Sequence, residues 1–408
     1  MIYGFLSTIV FFIILPFWLI LGIFIPKLTA GFKTKLGFFE LPEEIQGAIV
    51  FYGVSVGETI MLENIIRKTK ETFSDKKIIV CTGTPTGQET AKKKMSDVAD
   101  FITYFPFDFP FCINRFLSKV KPSVIITAET ELWPNVAHIT KKRNIPLLIV
   151  NGRISDGTYN IYKRLSFFFS RVLKNYTKIL AKSVEDKEKF ISLGANKTEF
   201  MGNLKFDIKA KECDFDLGNG RIIIAGSTHK GEDELFMPVF CELKKEFPDI
   251  KLLIAPRHPE RQEEVKHIIE QSGLPYGLRT NNDKFDNKEI IMLDTMGELG
   301  KAYSLCYFAF IGGSFNKTGG HNPLEASIYN KPVISGSCIH NFKDVYKILC
   351  DLGAAKIVNN VEELKQEAKK LLSDETYYQK SINACQQAFE INGNAIEYAI
   401  NTLKEILN

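Results

Sequence analysis

The stretch that decides the fold is YFAFIGGSF over residues 307–315, and GGHNPLE follows it over residues 319–325. The apolar run at its start predicts a buried strand. The glycines let the backbone approach a ligand closely, and Pro323 suits the first turn of a helix. A helix that begins there directs free N–H groups and the positive end of its dipole towards the glycines. The sequence therefore predicts an anion site, and phosphate is the anion that such a site favours.

Glu325 lies two residues into this predicted helix, where its carboxylate is placed to accept hydrogen bonds from ribose hydroxyls. Together with the phosphate site, this carboxylate predicts a nucleotide at the carboxyl end of a strand. A purely structural glycine turn is the alternative. The neighbouring His321 and Asn322 are polar groups that a bare turn does not need, and they favour the nucleotide.

The length and composition indicate a folded protein with more than one domain. The chain has 408 residues, of which 45% are hydrophobic and 25% charged. One hydrophobic core rarely serves so long a chain, so two domains are expected. The net charge of +4 is too small to predict a nucleic-acid partner, but it suits an anionic membrane surface or a phosphorylated substrate.

The eight cysteines are scattered and form no CxxC pair or Cys/His metal spacing. They are expected to be free thiols in a reducing compartment. The sequence therefore predicts neither a disulfide framework nor a metal site.

The N-terminal residues 2–25 carry no charge and are rich in Leu, Ile and Phe, so they are long enough to cross a bilayer as a helix. A secretory signal peptide is the rival, but no Lys or Arg precedes the run. Lys27 and further lysines follow it, which places the rest of the chain in the cytoplasm. Pro16 would kink the helix, so an interfacial segment is the alternative. We predict a membrane anchor over residues 1–27.

Beyond the anchor, strand-like apolar runs alternate with helical stretches, which predicts parallel sheets with crossover helices. One series occupies residues 28–204, and a polar, glycine-bearing linker covers residues 205–220. A second series occupies residues 221–408 and ends in helices. The simplest architecture is α/β, with two doubly wound Rossmann-like domains that face each other across a cleft. Ligands in such sheets bind outside the carboxyl ends of the strands.

Acidic side chains follow two strands of the first series. Glu58 begins a helix after a GVSVG turn, where it is either a general base or a helix-start carboxylate that the dipole favours. Glu129 and Glu131 follow the predicted buried strand at residues 123–127 and are close in sequence to Trp133. One of these two acids is expected to bind the acceptor while the other orients a neighbour. Trp133 either packs in the interior or contacts a sugar face.

Basic side chains follow a strand of the second series. Arg257, His258 and Arg261 lie among prolines, and arginine presents a fork of donors suited to phosphate or carboxylate. Lys205, at the start of the predicted linker between the domains, is placed to reach an anion from the side. The loop at residues 294–299 is expected to hold a base or phosphate with its backbone.

Two aromatic segments raise the question of lipid contact. Residues 159–171 combine aromatic and basic side chains, which is typical either of a helix on a membrane surface or of a buried helix with charged edges. FPFDFPF at residues 105–111 is either a lipid-facing loop or, as the default, a set of packed aromatic rings.

These motifs, taken in order, resemble those of the 3-deoxy-D-manno-octulosonic acid (Kdo) transferases of bacterial lipopolysaccharide synthesis. Each string alone is weak, but the ordered set is specific and covers nearly the whole chain. The matching strings are SVGE at 55–58, TGTPTG at 82–87, ETELWPN at 129–135, NGRIS at 151–155, GNLKFD at 202–207, GSTHKGED at 226–233, PRHPER at 256–261, DTMGEL at 294–299, GGHNPLE at 319–325 and NF at 341–342.

The resemblance implies a GT-B glycosyltransferase that moves Kdo from CMP-Kdo to the lipid A precursor lipid IVA. It implies location at the bacterial inner membrane with the catalytic part in the cytoplasm. It makes Glu58 the base, with Glu129 and Glu131 as further catalytic candidates, and assigns acceptor binding to the first domain and CMP to the second. The predicted donor-binding residues are Lys205, Ser227, Thr228, Arg257, His258, Met296, Gly297, Glu298, Gly313, Asn322 and Glu325.

The expected partners are thus CMP-Kdo, the phosphorylated and acylated lipid A precursor, and the membrane, without nucleic acid. No cofactor is expected besides the donor, and no DxD-like pair predicts a metal. Two other classes stay open at this point. One is a different nucleotide-sugar enzyme of the same fold, such as a UDP-sugar transferase or epimerase. The other is a membrane-anchored binding protein without catalysis.

Overall fold

The computed structural model describes residues 2–25 and 29–407. Lys27, which the predicted membrane topology used, lies outside the described residues. The chain forms two compact units. The first unit comprises residues 1–207 and 394–408, and the second comprises residues 208–393.

A parallel sheet forms the centre of the first unit. Its strands are β1 (Ile49–Gly53), β2 (Ile78–Thr82), β3 (Phe101–Tyr104), β4 (Val124–Ala128), β5 (Leu147–Gly152), β6 (Lys178–Ala181) and β7 (Thr198–Phe200). Their order in the sheet is β3-β2-β1-β4-β5-β6-β7. Strands β1, β2, β4 and β5 are buried at every position, as expected for strands with helices on both faces.

Helices connect these strands, and several begin at local sequence signals. They are α1 (Ile2–Phe24), α2 (Phe32–Lys35), α3 (Val56–Thr72), α4 (Pro85–Met95), α5 (Pro110–Val120), α6 (Pro134–Lys142), α7 (Asp156–Arg164), α8 (Ser166–Leu173) and α9 (Val184–Ser192). Side chains of Ser55, Thr84 and Ser183 accept a backbone N–H in the first turn of α3, α4 and α9. Prolines occupy the start of α4, α5 and α6, where a missing N–H costs nothing.

The second unit repeats this plan. Its strands are β8 (Arg221–Thr228), β9 (Ile250–Pro256), β10 (Tyr276–Leu278), β11 (Ile290–Met292), β12 (Phe308–Ile311), β13 (Val333–Gly336) and β14 (Ala355–Val358). They form a parallel sheet in the order β10-β11-β9-β8-β12-β13-β14. Its helices are α10 (Glu232–Glu246), α11 (Gln262–Gln271), α12 (Leu299–Ala302), α13 (Leu324–Ser327), α14 (Lys343–Leu352), α15 (Val361–Ser373) and α16 (Glu375–Asn392). The predicted α/β class with two parallel sheets is confirmed.

The last helix, α17 (Ala395–Leu407), belongs to the first unit and not to the second. Its buried Ala399 and Leu403 share a core with Leu62 and Ile65 of α3. The predicted C-terminal domain, residues 221–408, therefore differs from the compact unit at this end. The sequence pattern shows that the helix is amphipathic, but packing decides which sheet its apolar face covers.

The predicted linker also differs from what the structure contains. Lys205 lies in a short turn whose neighbours Leu204 and Phe206 are buried in the first unit. Further along, Leu217 is buried in the second unit, and the Phe215 ring lies 4.4 Å from the Arg279 guanidinium. The two ends of this polar segment are therefore packed, the first in the first unit and the second in the second unit.

Helix α1 packs one aromatic face against residues 105–111. The Phe11 ring lies 4.4 Å from that of Phe109, and Trp18 lies 5.5 Å from Phe107. The default interpretation of residues 105–111 as packed rings is thus confirmed for these contacts. Large apolar side chains on the rest of α1 are exposed, namely Phe5, Leu6, Ile9, Val10, Phe12, Ile13, Ile14, Phe17, Ile20, Leu21 and Phe24.

The predicted anchor was either a transmembrane or an interfacial helix. Across the described part of the chain, no helix combines the length and the apolar character that a bilayer crossing requires. The transmembrane form of the prediction is therefore not supported. The segment at residues 159–171 is also not one helix, since it divides between α7 and α8.

Candidate functional site

Glu58 lies in the first turn of α3, directly after β1. The Ser55 hydroxyl accepts the backbone N–H of Glu58, and the Glu58 carboxylate in turn accepts the Val54 N–H at 2.8 Å and the Ser55 hydroxyl at 2.9 Å. Both oxygens are thus held by donors, and each keeps a further lone pair. The Glu58 carboxylate therefore does stabilise the start of its own helix, which was the alternative to its interpretation as a general base. Its fixed orientation is also what a general base requires.

The TGTPTG loop supports the turn that carries Glu58. The Gly83 N–H and the Thr84 hydroxyl both donate to the Val54 carbonyl at 3.2 Å. A Cβ on Gly83 would lie 2.8 Å from the Val54 side chain, so this close approach needs glycine. Lys35, only 9% exposed, donates to the Gly83 carbonyl at 3.0 Å, and its burial lowers its pKa. Sequence reasoning missed Lys35 because it precedes β1 in a segment without motif character.

Glu131 follows β4 and is oriented by Trp133. The Trp133 indole N–H donates to Glu131 Oε2 at 2.7 Å, and the Tyr176 hydroxyl donates to the Glu131 carbonyl at 2.9 Å. Burial, together with the charges of Glu58 and Glu129, raises the pKa of Glu131 to about 7. This carboxyl is therefore partly protonated near neutral pH. Trp133 both packs in the core of the first unit and fixes this acid.

Glu129 has a different neighbourhood. Its φ of 53° is in the left-handed region, which a residue other than glycine seldom adopts. Its Oε2 lies 3.1 Å from Arg153 Nε. Burial raises the pKa of Glu129, Arg153, Lys182 and Lys205 lower it, and Glu58 raises it. The predicted donor-binding residue Lys205 is thus within electrostatic reach of Glu129 and belongs to the first unit, whereas the other donor candidates belong to the second.

The structure therefore brings the three predicted acids to one region of the first unit. Glu58 follows β1, and Glu129 and Glu131 follow the adjacent β4. The charge of Glu58 raises the pKa of both Glu129 and Glu131, which shows that the three lie within electrostatic reach. Since Glu58 holds its own turn, Glu129 an arginine and Glu131 an indole, the acids differ in their surroundings. Such differences let neighbouring carboxyls take different roles in proton transfer.

In the second unit, Glu232 occupies the glycine loop that follows β12. Its side chain is buried and accepts the N–H groups of Gly313 at 2.7 Å, Ser314 at 2.8 Å and Phe315 at 2.9 Å. It also accepts the His229 N–H at 2.9 Å. Gly313, a predicted donor ligand, is in this loop, and its N–H already has an internal carboxylate as its partner.

The helix predicted at Pro323 is present and short. Helix α13 has four residues, and the Asn322 side chain accepts the Leu324 N–H at 3.1 Å. Asn322 also forms a side-chain hydrogen bond with Glu325, whose pKa is raised by burial. A Cβ on Gly300 would lie 3.8 Å from Glu325 Oε2, so α12 approaches this turn. Asn322 and Glu325, both predicted ligands, do lie together.

The loop at residues 294–299 contains three predicted donor ligands. One of them has internal partners, and the other two are accessible. Glu298 forms an ion pair with Arg279 at 3.2 Å and accepts the Thr295 hydroxyl, so its carboxylate has internal partners. Met296 is 70% exposed. Gly297 has a φ of 81° and open space at its Cβ position. The backbone at Met296 and Gly297 is thus accessible to a ligand.

Arg257 and His258 are exposed after β9, whereas Arg261 is buried. Arg261 donates to Asp233 at 2.7 Å and to the Thr228 carbonyl at 3.2 Å. Arg261 therefore joins β8 to α10 and is no ligand candidate. Ser227, with a φ of 55°, and the buried Thr228 end β8 beside them.

Two histidines that were not among the predicted ligands make direct contact. His229 Nε2 lies 2.8 Å from His321 Nε2, and the His258 ring lies 5.1 Å from that of His229. Burial lowers the pKa of His229 and lowers that of His321 to about 4, so one neutral ring donates to the other. His229 is in the GSTHKGED string and His321 in the GGHNPLE string, and this membership was the sequence feature that could have marked them as site residues. The group as a whole offers imidazole and guanidinium donors suited to an anion.

The described residues contain no group of three or more His, Cys, Asp or Glu side chains arranged to hold a metal ion.

The raised pKa of Glu131 predicts a pH-dependent stability. Its folded-state pKa of about 7 lies above its ordinary value of 4.5, so its contribution to the free energy of unfolding is complete below about pH 4.5. That contribution, up to about 3 kcal/mol, is lost as the pH rises to about 7. We expect Glu131→Gln to remove this slope when urea unfolding is compared between pH 5 and pH 8. Equal slopes in the two proteins would contradict the assignment.

The role of Glu232 predicts a local effect. Glu232→Gln loses the charge that four N–H groups share, which should weaken the loop by about 3 kcal/mol. Hydrogen exchange followed by mass spectrometry should show faster exchange of the amides at residues 313–315. The exposed Glu260→Gln is the matched control and should leave exchange unchanged. Unaltered protection in Glu232→Gln would show that the carboxylate does not hold the loop.

Comparison with known proteins agrees with the motif order. Residues 30–208 match the family model described as 3-deoxy-D-manno-octulosonic-acid transferase (kdotransferase). The chain is 32% identical over 372 residues to the 3-deoxy-D-manno-octulosonic acid transferase of Haemophilus influenzae, covering 88% of this chain and 87% of that protein.

A bifunctional glycosyltransferase/methyltransferase of Fusobacterium nucleatum is 38% identical over 325 residues, which cover 76% of this chain. The match covers 50% of that relative, so the chain spans about half of its length. Among solved structures, Acinetobacter baumannii MurG matches with a TM-score of 0.56 at 14% identity, covering 88% of this chain and 99% of that one. This likeness concerns the fold, with two parallel-sheet α/β domains of the GT-B type. The chain belongs to the Kdo transferase family of glycosyltransferases.

Proposed function

We propose that this chain transfers Kdo from CMP-Kdo to the lipid A precursor lipid IVA. Membership of the Kdo transferase family supports the class of reaction. The observation that carries the proposal is the group of three acids after β1 and β4, with Glu58 fixed by two donors and Glu131 poised near neutral pH. A transferase that activates an alcohol needs a carboxylate held in this way.

In the proposed reaction, Glu58 accepts the proton of the acceptor hydroxyl. The hydroxyl oxygen forms a bond to the anomeric carbon of Kdo, and the bond from that carbon to the CMP phosphate breaks. The electron pair of the broken bond goes to the phosphate, which leaves as CMP, and the configuration at the carbon inverts. Glu131, held by Trp133, is the second acid beside the acceptor.

The donor is proposed to bind to the second unit. Arg257 and His258, both exposed after β9, are the proposed phosphate ligands. Asn322 and Glu325 are proposed to bind the ribose, and the open backbone at Gly297 the base. Donors aimed at the phosphate stabilise the charge that develops as CMP leaves, and each contributes on the order of 3 kcal/mol to catalysis. No metal or cofactor is required in this proposal.

The exposed apolar side chains of α1 support a membrane location for the enzyme. We place this helix in the cytoplasmic face of the bacterial inner membrane, where a lipid acceptor resides. The packed face of α1 joins it to the first unit through Phe11 and Trp18.

The base assignment predicts the behaviour of Glu58→Gln. The amide keeps the shape of the side chain but takes up no proton, so transfer should fall about 100-fold or more. Product formation from CMP-Kdo and a tetraacylated acceptor is to be measured by mass spectrometry. CMP binding, measured by calorimetry, should persist because Glu58 belongs to the other unit. Full activity in this variant would favour a binding protein or a different base.

Nucleotide preference separates the proposal from the UDP-sugar alternative. Cytosine presents an exocyclic amino group where uracil presents a carbonyl oxygen, so a site built for one leaves polar groups unpaired with the other. We expect CMP to bind at least about tenfold more tightly than UMP in calorimetry, and CMP-Kdo to be the productive donor. Preference for UMP or UDP would remove the Kdo proposal and support a UDP-sugar transferase or epimerase.

A further inference from the structure

Arg153 lies directly beyond β5 and has no role in the function proposed above. Its Nε approaches Glu129 Oε2 at 3.1 Å, and its carbonyl accepts the Thr130 hydroxyl. The side chain of Arg153 is nevertheless 51% exposed. Its terminal amino groups form no hydrogen bond with any other described residue. A guanidinium that is held on one edge and open on the other is suited to receive an anion.

The backbone on both sides of this pair is held in an uncommon conformation. Glu129 has a φ of 53° at the end of β4, and Asn151 has a φ of 51° near the end of the neighbouring β5. Such a conformation in residues other than glycine costs about 1–3 kcal/mol each and tends to occur where function needs a fixed geometry. The Glu129 N–H is bound to the Val150 carbonyl at 3.0 Å, which joins the two strand ends. The ion pair is therefore built on two neighbouring strands of the sheet.

The charges around Arg153 include both signs. Lys182 and Lys205, like Arg153, lower the pKa of Glu129, while Glu58 raises it. Glu129 is thus a carboxylate with three cations around it, and it lies within electrostatic reach of Glu58. An anion bound by Arg153 would consequently lie close to the group proposed to activate the acceptor.

We propose that Arg153 binds an anionic substrate group adjacent to the reacting atoms, with Glu129 as the positioning residue that orients the guanidinium. The inference rests on the proposed function. Two groups of one chemistry qualify, since both present paired oxygens to a guanidinium fork. One is the carboxylate that Kdo, a 2-keto sugar acid, carries on its anomeric carbon. The other is a phosphate on the sugar of the acceptor.

The test uses the full chain with CMP-Kdo and a tetraacylated disaccharide acceptor in detergent micelles. Arg153→Met should lower kcat/KM by about 10- to 100-fold, since a hydrogen bond to a charged group is lost. Arg153→Lys should recover only part of that loss, because lysine keeps the charge without the fork. Glu129→Gln should cause little further loss when Arg153 is already Met. CMP binding and the thermal unfolding midpoint should stay at wild-type values in Arg153→Lys.

Arg143→Met is the matched control, because Arg143 precedes the same strand β5 at its amino end and bonds to Ser118 and Asn114. Its kcat/KM should equal that of the wild type. If Arg153→Met and Arg153→Lys also equal the wild type, this inference is overturned while the proposed function stands. A wild-type protein that does not use CMP-Kdo would instead remove the proposed function.

A second acceptor identifies the source of the anion. An acceptor treated with phosphatase lacks the sugar phosphates but keeps the attacking hydroxyl. If the Arg153→Met loss is the same with both acceptors and appears in the KM for CMP-Kdo, Arg153 binds the donor carboxylate. If the loss disappears with the dephosphorylated acceptor, Arg153 binds the acceptor phosphate. Both results support the anion site.

Discussion

Burial of parallel strands on both faces is the constraint on which the rest of this structure depends. The central strands of each sheet are covered by helices, so they admit apolar side chains almost exclusively. Polar chemistry is therefore displaced to the loops beyond the strands. Because the strands are parallel, their carboxyl ends lie at the same edge, and residues distant in sequence meet there. Glu58, in the first turn of α3 after β1, and Glu131, in the loop after the adjacent β4, come within electrostatic reach for this reason.

Carboxylates have different roles at the carboxyl-end edges of the two sheets. In the second unit, buried Glu232 saturates four N–H groups and so makes the glycine loop part of the scaffold. In the first unit, Glu58 also holds its own turn, but Glu131 carries a pKa near neutrality. A buried carboxylate that accepts several N–H groups gives rigidity, whereas one with few donors has a raised pKa and exchanges protons near neutral pH. The same residue type thus serves structure in one sheet and the proposed chemistry in the other.

Much of the architecture was predictable, because alternation of apolar strands and amphipathic helices is local information. The strand before Gly312 and the helix start at Glu58 occur where the pattern indicates. The sequence did not indicate the partner of the Gly313 N–H, which is the carboxylate of Glu232 at a separate helix start. Lys35 and the His229–His321 contact could not be foreseen either. Burial and pairing of these groups arise from packing between segments that the sequence separates widely.

The sequence by itself determined the α/β class, the family and the set of polar motifs at the strand ends, because spacing and residue type encode them directly. Only the tertiary structure decided which motif residues face inward. It gave Arg261 and Glu232 internal partners and left Arg257 and Met296 exposed. It also placed α17 with the first unit. The physical reason is that a charged or apolar side chain takes its role from the groups that surround it after folding, and these neighbours come from distant parts of the chain.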